Sequence, residues 1–223
     1  MRTFTKAVIG AAAAGALAFS LAACSGSSSS DTGSASSPSA SSTPTPVASI
    51  PELTGKMTQV TVDKGFLDAL TSLGLTPGVV GTATLTDGVL SFPITGGNVD
   101  YYDPNQPYRP YVQGEIDHEG SGLSLSAGGT TVELTNFTID PGTSKLYGDV
   151  SANGSPVVQQ AFLFDLDGST LKPLQTSGDT AILEGTTVHV SADAAALLNK
   201  TFNTDAVKEG LLVGVAKITV NTK

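Results

Sequence analysis

The residues best suited to chemistry stand at three places in the chain. In "AFLFDLDGSTLKP", residues 161–173, an apolar run leads into Asp165 and Asp167 just ahead of Gly168. Two carboxylates spaced D-x-D at the end of a strand can serve as a nucleophile and its acid–base partner, or as the first ligands of a cation. In "DYYDPNQPYRPYVQGEIDH", residues 100–118, Tyr101, Tyr102, Tyr108 and Tyr111 are four of the five tyrosines, set among Pro104, Pro107 and Pro110 and followed by His118. Phenols and an imidazole can ligate iron, and tyrosines give large contact area at small entropic cost. The third place is Cys24, the only cysteine, which leaves the fold without an intrachain disulfide.

The acidic motif resembles the first motif of the haloacid dehalogenase phosphotransferases, D-x-D-G-T-L, which implies Asp165 as nucleophile and Asp167 as acid and base. Such an enzyme needs this motif early in a doubly wound α/β domain, with further phosphate and Mg²⁺ ligands downstream. Here fewer than 60 residues follow Asp165, and Ser169 is inserted between Gly168 and Thr170. Read as a calcium loop, the stretch has Thr176 at the twelfth position, where a bidentate Glu is required. "DGST" therefore reads as the turn that ends a strand, with no catalytic residue and no metal site.

Around Cys24 the pattern is one of export. Residues 1–23 carry Arg2 and Lys6, then the apolar run "AVIGAAAAGALAF", too short to span a bilayer and matching a signal peptide. "LAAC", 21–24, followed by "SGSSSS", resembles the lipobox of bacterial lipoproteins. That resemblance implies a diacylglyceryl group on Cys24, cleavage before it, and attachment to the cell membrane through lipid on an extracytoplasmic protein. Two acyl chains hold where one is marginal. Residues 24–52 are rich in Ser, Thr, Ala and Pro and read as a disordered tether with an r.m.s. reach of roughly 25 to 30 Å. Residues 53–223 are long enough for one β-rich domain. Loss of 1–23 leaves 9 basic against 20 acidic residues, a balance of −11 that disfavours nucleic acid as a partner.

The elements that must position these residues are strands. In "VVGTATLTDGVLSFPI" a turn at Asp87-Gly88 pairs Leu85 with Leu90, Ala83 with Phe92 and Gly81 with Ile94. In "GLSLSAGGTTVELT" a turn at Gly128-Gly129 sets Leu125 opposite Val132 and Leu123 opposite Leu134. The apolar parity of "TTVELTNFTID" then switches near Asn136, which predicts a bulge. Further strands are expected at 57–62, 145–151, 157–166, 180–190 and 210–221. Two helices are expected, "DKGFLDALTSLG" capped by Asp63 and "SADAAALLNKTF" capped by Ser191. The fold class is all-β, an antiparallel β-sandwich or partly open barrel with two short helices.

On the strand after the tyrosine loop, Val112, Gly114, Ile116 and His118 share the core side, with "EGSG" beyond as a turn, so His118 is expected at the rim of the core. The loop either forms the lip of a ligand site or covers the open end of the fold. The order of elements from "DKGFLDALTSLG" through "YVQGEIDHEGSGLSLSAGGTTVELTNFTID" and "AFLFDLD" to "LLVGVAKITV" resembles the HtaA-type haem-uptake domains of actinobacterial surfaces. The resemblance implies a cell-surface module that binds haem or another hydrophobic ligand. It implies a haem tyrosine near the first helix and a supporting histidine, matched by His118, on a central strand. Between Asp63 and Pro77 there is no tyrosine, so Tyr101, Tyr102, Tyr108 or Tyr111 would have to substitute. The alternative is a structural or adhesion lipoprotein that contacts wall polymer or an envelope protein through the loop.

Overall fold

The computed structural model describes residues 44–223. Cys24, the signal segment and most of the expected tether lie outside them. In chain order the elements are β1 (Ala48–Ile50), β2 (Lys56–Val62), α1 (Lys64–Ser72), β3 (Thr76–Gly81), β4 (Thr84–Thr86), β5 (Val89–Pro93) and β6 (Gly96–Tyr101). There follow β7 (Val112–Ala127), β8 (Thr130–Asp140), β9 (Lys145–Ala152), β10 (Ser155–Asp167), β11 (Gln175–Ser177), β12 (Thr180–Val190), α2 (Ala192–Phe202) and β13 (Leu212–Asn221). All strand pairs are antiparallel, and a single sheet runs β1-β6-β7-β8-β9-β10-β12-β13-β2-β5-β4, with β3 on β7 and β11 on β12. The sheet curls into a half-barrel with two short helices.

Tight turns set the register. Asp87-Gly88, Gly128-Gly129 and Asn153-Gly154 all have positive φ at both central residues, the geometry whose twist suits two-residue hairpins. Leu125 faces Val132 and Leu123 faces Leu134, as the alternation predicts. The Asp87 hairpin is shorter than expected. It pairs Leu85 with Leu90, but Ala83 and Gly81 do not continue it, because β3 belongs to β7. At Gly81, φ 61°, the backbone packs so closely on the Gly120 carbonyl that a Cβ would lie 2.0 Å from it, and Thr82 N–H donates to the same oxygen. The chain leaves one strand neighbour for another at that point.

Bulges bend the sheet along one line. The β7–β8 register shifts between His118 and Gly122, the β8–β9 register between Thr135 and Thr138, and the β9–β10 register between Val158 and Ala161. Asn136 sits at the centre with φ 53°, accepting from Gly120 N–H at 3.0 Å and donating to Asp149 at 2.9 Å; Asp149 in turn accepts from Gln160 N–H. Side chains thus satisfy the backbone groups that the bulges free. A further shift between Phe162 and Phe164 breaks the strict alternation of β10. Leu163 and Phe164 are both buried, while Phe162 stacks outside against Tyr147 and Lys145.

The helices close one end of the half-barrel. Asp63 caps α1 by accepting from Gly65 and Phe66 N–H, and its other end is a Schellman turn in which Leu75 N–H reaches Leu70 O and Gly74 N–H reaches Thr71 O. Ser191 caps α2 through Ala194 N–H and donates to Phe162 O on β10, which fixes the helix to the sheet. Leu70, Ala194, Ala195 and Leu198 join Phe92, Val132, Leu134, Leu163 and Phe164 in the larger core. A smaller core at the other end gathers Leu53, Ile94, Ile116, Ile139 and Val220.

Candidate functional site

β7 turns Ile116 and His118 inward, as its alternation requires, but His118 is not at the rim. It is 1% exposed, at the waist between the two cores. The bulge after it explains the difference: Gly120 and Ser121 extend the strand where a terminating turn was expected, and Ser121 Oγ donates to His118 O. The imidazole Nδ1 lies 3.2 Å from Phe137 O and Nε2 lies 2.8 Å from Thr58 Oγ1. A carbonyl can only accept, so Nδ1 carries the proton and Nε2 accepts from the threonine hydroxyl. Burial pushes the pKa down to about 4, against the opposing pull of Phe137 O and Asp117. The ring is neutral, with both nitrogens engaged, beside a space of about 50 Å³ bounded by Phe92, Phe137 and Val188.

The tyrosines divide into two pairs. Tyr101 ends β6, and Tyr102 N–H donates to Tyr111 O at 2.7 Å, closing the base of the loop to β7. Tyr101 and Tyr111 meet edge to face at 5.8 Å, whereas Tyr102 is buried against Tyr108 at 4.6 Å. Only Tyr101 and Tyr111 line the large cavity at the small-core end, about 370 Å³, whose walls include Ile50, Val99, Ile116, Leu171 and Leu174. That volume lies in the range of small-molecule sites. Burial and the neighbouring Tyr111 raise the pKa of Tyr101, which holds it as a neutral phenol. Ala48 and Ile50 of β1 complete the wall, so the last part of the segment expected as tether belongs to the fold. The loop thus covers this end of the half-barrel, with Tyr101 and Tyr111 over the cavity.

Among solved structures, the C-terminal domain of HtaA from Corynebacterium glutamicum superposes with a TM-score of 0.54 at 16% identity, covering 76% of this chain and 98% of that one. The chain has an HtaA-like fold. The heme binding protein HtaB from the same organism gives a TM-score of 0.45 at 10% identity, covering 78% of this chain and 96% of that one. No protein-family model matches the sequence, and no curated protein matches it.

In this HtaA-like domain the expected site residues do not converge. His118 does not line the tyrosine cavity, and an iron at its Nε2 would have to displace Thr58 and enlarge a space of about 50 Å³. The residues around His118 do not fit haem. Of the side chains lining the larger cavity, Tyr101 and Tyr111 are the types that can serve as axial ligands. Asp165 lies exposed on β10, and Asp167 accepts from Ser169 N–H at 2.8 Å, the turn role read from "DGST". Among the described residues, no three metal-ligating side chains gather. Sequence reasoning missed Thr58, 60 residues from His118, for which the chain gives no local signal. It also passed over Arg109, although an arginine inside a Pro-Tyr loop of an acidic chain was visible.

Proposed function

We propose that this protein is a lipid-anchored, extracytoplasmic binding module that holds an apolar small molecule in the tyrosine-capped cavity. The observation that carries the reading is the cavity itself: about 370 Å³ at one end of the half-barrel, walled by aliphatic side chains and roofed by Tyr101 and Tyr111. Small-molecule sites have this character, an apolar body with a few polar groups to orient the guest. The lipobox at Cys24 supports the anchor. Haem is one occupant suggested by the HtaA-like fold, and its axial oxygen would come from Tyr101 or Tyr111.

A second reading is contact with wall polymer or an envelope protein. The exposed loop tip at 104–107 favours it. The two are separated by titrating the mature chain with an environment-sensitive apolar fluorophore and, separately, with haemin. Saturable binding of one fluorophore per chain, lost when Ala181→Phe fills the cavity, is the expected result. A Soret shift abolished by Tyr101→Phe with Tyr111→Phe would identify haem as an occupant. Absence of saturable binding by either probe would overturn the cavity reading in favour of the adhesion module.

A further inference from the structure

We infer that the cavity takes an amphiphile with an aliphatic body and a single anionic head, a long-chain carboxylate, with the head against Arg109; the inference rests on the cavity reading above. Arg109 lines the cavity beside Tyr111, its guanidinium carbon 5.5 Å from the ring centroid. It is the only arginine after Arg2 in a chain dominated by acid. Among the described residues no Asp or Glu lines the cavity and Arg109 joins no ion pair. A lone cation at the mouth of an apolar chamber leaves its charge for something else to neutralise.

The loop holds that cation in place. Nη1 donates to Gln106 O and Tyr108 O, and Nη2 donates to Pro104 O at 2.8 Å. A guanidinium has five N–H donors, so two remain, enough for the two oxygens of a carboxylate. The backbone carbonyls carry only partial charge and leave the unit positive charge uncompensated. An arginine already fixed by its own loop also loses little rotamer freedom when it meets a guest. The cavity floor offers no second charge: beneath the mouth lie Ile116, Ile139, Leu166 and Ile218. A guest with charge at both ends would bury one unpaired, which the apolar interior disfavours. Charge at one end only satisfies both regions.

The test uses a fluorescent polyene fatty acid and its methyl ester, each titrated against the mature chain and against its Arg109→Gln and Arg109→Lys variants. Because Arg109 is exposed, the acid is expected to bind wild type only about fivefold more tightly than the ester, a preference that fades in high salt. Arg109→Gln abolishes the preference, bringing the ratio of acid to ester affinity to about one. Arg109→Lys keeps part of it. The ester is also the control for the loop, since collapse of the cavity would weaken both probes together. Equal binding of acid and ester to wild type would overturn the head-group assignment while leaving the cavity reading intact. Failure of both to bind would overturn both.

Discussion

Acid should unfold this protein partly through one buried imidazole. His118 titrates near its ordinary value of 6.5 in the unfolded chain and at about 4 in the fold, because burial disfavours its charged form. Between those values the unfolded state binds the extra proton and the folded state does not, so stability falls as pH falls. The contribution is fully present above the unfolded pKa, declines below 6.5, and levels off below about 4. Its full size is about 3 kcal/mol, at about 1.4 kcal/mol per pKa unit. Asp103 and Asp167, both held low chiefly by backbone N–H donors in their turns, titrate below this window. His118→Gln isolates this contribution, since Gln offers Phe137 O a donor and Thr58 an acceptor without titrating. Urea unfolding followed by far-ultraviolet circular dichroism should give a wild-type curve that loses about 2 to 3 kcal/mol relative to His118→Gln between pH 7.5 and 4.5. A difference that stays flat across this range would refute the reasoning, as would a His118 resonance titrating near 6.5 in the folded protein.

Two further expectations are simpler. Cys24→Ala should abolish metabolic labelling by fatty acid and release the protein from the membrane fraction; a labelled mutant would exclude the lipid anchor. Asn136→Ala should cost about 1 to 2 kcal/mol in chemical denaturation, because alanine neither favours φ 53° nor bridges Gly120 to Asp149. Asn136→Gly should lose the bridge but not the backbone conformation, and so cost less than Asn136→Ala if strain contributes.

Much of this architecture was legible because period-2 alternation and two-residue turns are local signals. The Gly128-Gly129 hairpin, the bulge at Asn136 and the caps at Asp63 and Ser191 each depend on a few adjacent residues, and each stands where its chemistry requires. What lay outside local pattern was less legible. Nothing near Gly81 announces that β3 will leave its neighbour for β7, since that follows from contact with Gly120, which lies 38 residues beyond Thr82. His118 was placed on the correct face but at the wrong depth, because depth depends on Thr58 and on a bulge that prolongs β7. The tyrosine cluster was visible as composition. Which two of the four face a cavity was decided by the closure of the loop, Tyr102 N–H to Tyr111 O.

The short strand β1 gives the cavity a mechanical property. Ala48, Ser49 and Ile50 pair with Tyr101, Asp100 and Val99 at one end of the sheet, and Val47 N–H adds a bond to Tyr101 O. Ala48 and Ile50 also form part of the cavity wall. Tension entering the chain ahead of Val47 therefore meets these bonds before it meets any other strand, and the first to part is the one on Tyr101. A segment of three paired residues holds only weakly by itself. The same pull that strips it from β6 removes a wall of the chamber and leaves the half-barrel behind it paired, so this edge of the fold is also its most compliant door.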